Sequence, residues 1–411
     1  MAQLLNHYFR DNDSFAFEAM RAAGYANAGA ADVAEVAAIC SRITSGNEFQ
    51  WLEEWKNAAD RAVRHAESSL SRGNKPGAKE GFLRASNYYR TAEFYRREDP
   101  RNDVISMDLA ELSCNTFLRA ADLMPYVTEA VRIPYEGTSL PGILMKPDAG
   151  HDPKPLLIAN GGFDSTKEEV FYSLAPIALE LGMNVLAFEG PGQGDAVRKQ
   201  KLTFRHDWEN VVTPVVDYAI SQRGVDSSKI VLVGISMGGY LAARASAFEH
   251  RLAAVVLNDG VFDFGACFRK GESKDSPDMR PVFETKQWDH LINTKVCQNA
   301  ARDTGLKWAM SNAKYTFGTD SAAEIIRETA KYTLEDVVHL IKTPTLVLDA
   351  PDDHFMMDQP TELFNMLRCE KDLIALTQKE GGSLHCHVGA PSRLSQVIFD
   401  WLLEKLVKTT V

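Results

Sequence analysis

Up to about residue 125 the apolar positions recur at intervals of three and four, the period of helices that bury one face. The stretches 31–43, 50–70, 77–96 and 104–124 carry this pattern with few strand signals. Asn74-Lys75-Pro76-Gly77 and Asp99-Pro100-Arg101-Asn102 interrupt it with residues that break helices. Within 77–96, Ala85, Tyr88, Tyr89, Ala92 and Tyr95 form one stripe, which predicts helix-packing core rather than a ligand box. Beyond residue 125 the pattern changes. The runs 129–135 and 140–146, joined by Glu136-Gly137-Thr138-Ser139, predict a leading hairpin. Short apolar runs at 155–159, 184–188, 229–233, 253–257, 344–348 and 372–377 then alternate with helical stretches, which predicts a mostly parallel eight-stranded sheet with helices on both faces. The segment between the runs 253–257 and 344–348 is much longer than one crossover helix needs. Its stretch 264–338, with Trp288, Trp308, Tyr315 and Phe317, predicts an inserted helical cap.

The 411 residues suffice for two or more packed units. The expected division is a helical N-terminal domain, 1–125, and a catalytic domain, 126–411, that carries the cap. A formal net charge of −11 argues against nucleic acid or an anionic membrane surface as partner. The start, Met1 to Tyr8, lacks a basic region followed by a long apolar segment, so no secretory leader or membrane anchor is expected. Cys40, Cys114, Cys267, Cys297, Cys369 and Cys386 show no close metal-type spacing and predict reduced thiols in a cytoplasmic protein. The oligomeric state is open, a homodimer included.

The chemistry begins at Gly234-Ile235-Ser236-Met237-Gly238, which follows the apolar run 229–233 and precedes a helix-forming stretch. Gly-x-Ser-x-Gly between a strand and a helix is the nucleophile elbow of α/β-hydrolases, a tight turn that lifts the serine oxygen above the sheet. Such a serine needs an acid and then a histidine later in the chain. The run 344–348 empties into Asp349-Ala350-Pro351-Asp352-Asp353-His354, where Asp353 is the preferred acid and Asp349 and Asp352 the alternatives. The run 372–377 leads to Gly381-Gly382-Ser383-Leu384-His385-Cys386-His387, where His385 is preferred over His387 because it closely follows the flexible Gly-Gly pair. Two backbone N–H groups must face the developing oxyanion. Met237, the residue after the nucleophile, supplies one. The loop Asn160-Gly161-Gly162-Phe163 supplies the other, from Phe163 in preference to Gly162.

These motifs, with Asn-Gly-Gly-Phe-Asp-Ser-Thr-Lys-Glu at 160–168, Glu-Gly-Pro-Gly-Gln-Gly at 189–194, Asn-Asp-Gly-Val-Phe-Asp-Phe at 258–264 and Leu-His-Cys-His-Val-Gly-Ala at 384–390, carry a resemblance. The chain resembles, over nearly its whole length, the α/β-hydrolases related to 2,6-dihydroxypseudooxynicotine hydrolase and to the fungal yellowish-green pigment hydrolases. The resemblance implies an α/β-hydrolase fold with a helical N-terminal region and matches Ser236, Asp353 and His385 to the family's triad. His-Cys at 385–386 matches the family's pair. It further implies cleavage of a carbon–carbon bond in a polyketone or aryl ketone, with esters cleaved by relatives. Asp259 and Asp263 fall in a family-like segment at a strand end, where ligands of open sheets bind, and are candidate substrate contacts, with helix capping the alternative. A small-molecule ketone or ester is the expected substrate, and no metal or organic cofactor is expected, because side chains carry acyl transfer. Esterase, lactonase or thioesterase activity is the alternative reaction. A non-catalytic binding protein on the same fold is the alternative class.

Overall fold

The computed structural model of the protein describes residues 8–269 and 284–408. Residues 1–7, in the stretch read for a leader, and 270–283, in the expected cap, lie outside them. Five described helices precede the sheet: α1 (Asp13–Gly24), α2 (Val33–Cys40), α3 (Glu48–Ser71), α4 (Lys75–Glu93) and α5 (Val104–Ala121). Four start on short polar side chains. Asn12, Asn47, Asn74 and Asp103 each accept a hydrogen bond from an N–H of the first turn, which satisfies a donor with no partner inside the helix. Asn74-Lys75-Pro76-Gly77 is therefore the opening of α4, where the missing N–H of proline costs nothing. The tyrosine stripe is core: Tyr88, Tyr89 and Tyr95 are buried, and the Tyr95 ring lies 4.8 Å from Phe15 and 5.1 Å from Trp51. Periodicity does not single out α1, whose buried face is mostly alanine and so gives a weak apolar signal.

The strands β1 (Val127–Tyr135), β2 (Thr138–Lys146), β3 (Lys154–Asn160), β4 (Asn184–Phe188), β5 (Val225–Ile235), β6 (Ala254–Asn258), β7 (Thr345–Asp349) and β8 (Lys371–Ala375) form one sheet in the order β1-β2-β4-β3-β5-β6-β7-β8. β2 pairs antiparallel with β1 and β4, and the remaining pairs are parallel. Every residue of β4 and β6 is buried, which is why these strands read as continuous rather than alternating apolar runs. Lys167–Ser173, Ala175–Glu180 and Pro391–Lys408 cover one face, and Glu209–Ser221 and Met237–Ser246 the other. β4 and β5 flank β3 on opposite sides, so the loops leaving β3 and β5 diverge and open a crevice at the C-terminal edge of the sheet. Between β6 and β7, the helices Asp289–Ala300, Thr304–Phe317 and Ala322–Thr329 contribute Val296, Leu306, Trp308, Met310 and Ile326 to the cavity above that crevice. No described helix is long and apolar enough to cross a membrane.

Candidate active site

Ser236 sits where β5 turns into Met237–Ser246, with φ 61° and ψ −129°, a left-handed conformation that costs a side-chain-bearing residue of order 1–3 kcal/mol. The reversal is tight enough to demand glycine before it: a Cβ on Gly234 would meet the Gly238 carbonyl oxygen at 2.0 Å. The Ser236 N–H is held by Asn258 O at 2.5 Å, which ties the elbow to the end of β6. The hydroxyl points to a histidine. Ser236 Oγ lies 2.9 Å from His385 Nε2.

On the other side of the ring, His385 Nδ1 lies 2.6 Å from Asp353 Oδ2. Asp353 Oδ1 accepts the N–H groups of Phe355 (2.7 Å) and Met356 (3.2 Å), so the turn after β7 aims this carboxylate at the imidazole. A second carboxylate shares the position: Asp259 Oδ2 lies 2.9 Å from the same Nδ1 and accepts the Cys386 N–H at 3.1 Å. Two acids this close cannot both hold charge cheaply. Burial opposes the charge on Asp353, but the His385 imidazole and the hydrogen bonds from His385, Asp259 and Phe355 outweigh it and hold the carboxyl down at about 2. Burial, and then the Asp353 charge, push Asp259 the other way, above the usual carboxylate range. Of the two, Asp353 is the acid whose charge the site favours and Asp259 the one whose charge it disfavours. Burial works against the His385 imidazolium as well, yet the Asp353 carboxylate, with Cys386 and Asp259, holds it well above the ordinary imidazole range. Among the described residues, Asp259, His385 and Cys386 place metal-type donor atoms within 4.8 Å of one another. His385 in that group is already engaged by Ser236 and Asp353.

The turn after β3 lies against the serine, since a Cβ on Gly162 would meet Ile235 O and Ser236 Cβ at 2.7 Å. The Gly162 N–H is used, donating to Ser165 Oγ at 3.0 Å. The N–H groups of Phe163 and Met237 make no hydrogen bond among the described residues. Above them opens a cavity of about 1370 Å³ whose lining includes Ser236, His385, Phe163, Phe264, Trp308 and Phe355. That volume exceeds the roughly 300–1,000 Å³ of ordinary small-molecule pockets. Phe355 and Phe17 stand 5.1 and 6.3 Å from the His385 ring and screen it from water.

A family model described as esterase FrsA-like matches residues 38–279, and one described as prolyl oligopeptidase family matches residues 170–409. The first spans more than half of the chain. The chain belongs to the FrsA-like α/β-hydrolases. Hydrolase LUC6 of Fusarium sp is 33% identical to this hydrolase over 97% of its chain and 98% of the relative's. The 20-hydroxy-prefusarin hydrolase FUS2 of Gibberella moniliformis is 31% identical over 95% and 96%. The crystal structure of 2,6-dihydroxy-pseudo-oxynicotine hydrolase superposes with a TM-score of 0.71 at 23% identity, covering 94% of this chain and 96% of that one, and shares the fold.

The geometry of this hydrolase brings together Ser236, His385, Asp353, Phe163 and Met237, and sets other candidates apart. His387 Nδ1 donates to Gly382 O at 2.6 Å, a bond within its own loop. Neither Asp349 nor Asp352 bonds to His385 among the described residues. Asp259 and Asp263, the candidate substrate contacts, do not line the cavity. Asp259 is fully buried against the imidazole. Asp263 accepts the Ala266 N–H at 3.2 Å and pairs with Arg269 at 2.5 Å, which matches the capping alternative. Sequence reasoning misses Phe17 and Arg21 of α1, which line the cavity from outside the sheet. The cap tryptophans also separate. Trp308 lines the cavity and stacks on Phe94 at 4.4 Å, whereas Trp288 is 42% exposed and lies outside the lining. Trp308→Ala is expected to raise KM for bulky aromatic substrates about tenfold, the equivalent of ~1.4 kcal/mol, with little change on a small activated ester. Trp288→Ala should leave both unchanged. Steady-state kinetics on the two substrate sizes, beside thermal melts, check this; equal losses on both with a lower Tm would assign Trp308 to scaffolding alone.

Proposed function

We propose that this hydrolase works through a Ser236-His385-Asp353 triad, with the Met237 and Phe163 N–H groups as oxyanion hole, and cleaves a carbon–carbon bond beside a ketone in a polyketide-like or aromatic metabolite. The observation that carries the reading is the unbroken relay from Ser236 Oγ through the imidazole to Asp353, at 2.9 and 2.6 Å, opening onto the large aromatic cavity. His385 takes the proton as Ser236 Oγ bonds to the carbonyl carbon, and the two N–H groups stabilise the resulting oxyanion. As that adduct collapses, the carbon–carbon bond breaks and its electron pair leaves as an enolate, which His385 protonates. Water then hydrolyses the acyl-serine to a carboxylic acid. An enolate leaves at a useful rate only when a neighbouring carbonyl or ring delocalises it, so the substrate should be a 1,3-dicarbonyl or an acyl phenol. Support for the substrate class comes from the family resemblance, from a relative named as a prefusarin hydrolase, and from the size of the cavity.

Ester cleavage is the second reading, favoured by the esterase description of the matching family. It uses the same groups with an alkoxide in place of the enolate. Incubation with a panel of 1,3-dicarbonyl polyketides in oxygen-labelled water separates the two. The expected products are a shortened ketone or phenol and an acid that carries the label. Efficient turnover of matching esters, with every diketone left intact, would move the assignment to carboxylesterase.

A further inference from the structure

The loop that carries the Phe163 N–H contains Gly161-Gly162, a backbone with little conformational preference of its own. It is nevertheless also held by groups from elsewhere in the chain. Gln193 Nε2 donates to Gly161 O (2.7 Å) and Gly162 O (3.1 Å). Asn312 Nδ2, from the cap helix Thr304–Phe317, donates to Phe163 O at 3.1 Å, and Arg97 Nε donates to Asn312 Oδ1 at 3.1 Å. The next residue, Asp164, is gripped from the N-terminal helices: its Oδ2 accepts Arg21 Nη1 of α1 at 2.7 Å and Arg90 Nη2 of α4 at 3.0 Å. Glu18 and Glu169 complete the group. Arg90 reaches Glu18 at 2.9 Å, and Arg21 reaches Glu169 through two N–H groups at 3.0 Å. These side chains are buried or nearly so, with exposures of 4–12%.

We propose that Arg21 and Arg90, through Asp164, and Asn312, through the Phe163 carbonyl, are positioning residues of the reaction that fix the peptide presenting the Phe163 N–H to the oxyanion. The inference rests on the triad and oxyanion reading above. An oxyanion donor acts over a window of a few tenths of an ångström around 2.7–3.1 Å, and losing one costs about 10²–10³ in kcat. A displacement of about 1 Å can cost about 10². Two clamps directly after Phe163, with Gln193 holding the Gly161 and Gly162 carbonyls before it and the Phe163 N–H left unbonded among the described residues, give the loop that tolerance. On this account Arg21 and Arg90, from the helical region, act on the transition state through Asp164.

The test uses the full-length protein and a small activated ester, so that it does not depend on the natural substrate. Arg21→Ala leaves buried carboxylates short of a partner and can impair folding, so Arg21→Lys and Asn312→Ala accompany it. For folded variants we expect kcat to fall about 30- to 100-fold for Arg21→Ala and Asn312→Ala, with KM within about twofold and partial recovery in Arg21→Lys. Affinity for a trifluoromethyl ketone, which forms an oxyanion adduct with the serine, should fall in parallel with kcat. Affinity for the corresponding alcohol, which forms none, should not. Native kcat in folded Asn312→Ala and Arg21→Lys would overturn the inference. A rise in KM alone would do the same, because it would make these groups substrate contacts, and so would losses that follow Tm rather than ketone affinity. Ser236→Ala protein that still forms the ketone adduct would overturn the serine reading itself, and this inference with it.

Discussion

Replacing Ser236 with alanine is expected to lower kcat by about 10⁴ or more while the protein keeps its native melting temperature. Among the described residues the hydroxyl makes one hydrogen bond, to His385 Nε2, so its removal takes away the nucleophile and little else. His385→Ala should cost about as much, and the double variant no more than either single, because the two groups act in the same step. His387→Ala gives the contrast. Its ring holds Gly382 O from a buried position, so its loss should appear as about 1–3 kcal/mol of stability rather than as chemistry. Circular dichroism and steady-state kinetics on the purified variants decide the matter. Near-native turnover by Ser236→Ala would end the serine mechanism. A folded His387→Ala as inactive as His385→Ala would transfer the base to His387.

Asp353→Asn should lower kcat by about 10³–10⁴, since the amide can no longer fix the tautomer of His385 or balance the imidazolium. The second acid makes the expected pattern unusual. Asp259 is held above the usual carboxylate range by burial and then by the Asp353 charge. Once that charge is gone only burial still opposes the Asp259 charge, so its carboxylate is easier to hold and partly replaces its neighbour at Nδ1, 2.9 Å away. Asp259→Asn alone should therefore cost only about tenfold, and the double variant should lose a further tenfold or more beyond Asp353→Asn. The pH profile gives the sign. In the native protein the imidazolium is favoured by Asp353 against the penalty of burial. With no carboxylate at Nδ1 only Cys386 still opposes the penalty of burial, so the acid limb of kcat/KM moves to lower pH in the double variant. A limb that stays in place there, or Asp259→Asn more damaging than Asp353→Asn, would reverse the roles of the two acids.

The features of the site that are legible in the chain are those with local steric demands. The elbow needs glycine at 234 because the backbone reverses within 2.0 Å of a would-be Cβ, and such a demand leaves a mark in five consecutive residues. Serine, acid and histidine can meet because the parallel strands β5, β7 and β8 all deliver their loops to one edge. Choosing among Asp349, Asp352 and Asp353 is harder, because three aspartates in one loop differ only in direction. Directions are set by bonds such as those from Phe355 N–H and Met356 N–H to Asp353. For the same reason the sequence pattern leaves the direction of Asp259, which faces the ring, unread, and groups Trp288 with Trp308. The wall contributed by α1 leaves no trace at all. Arg21 and Asp164 are 143 positions apart, and no periodicity or short motif couples charges at that separation.

The grip of Arg21 and Arg90 on Asp164 also bears on how such a chain can be inherited. An exposed lid can be exchanged between relatives by recombination, since its loss leaves solvent where it stood. A crossover between Ala121 and Val127, the natural seam between helices and sheet, would separate both guanidinium groups from Asp164 and Glu169, and leave those acids facing whatever the new partner brought. Desolvated charge without a counter-charge is among the most costly errors a fold can contain. The helical and sheet halves of this lineage are therefore expected to travel through evolution as a pair, with compensating changes at positions 21, 90, 164 and 169 arriving together or not at all.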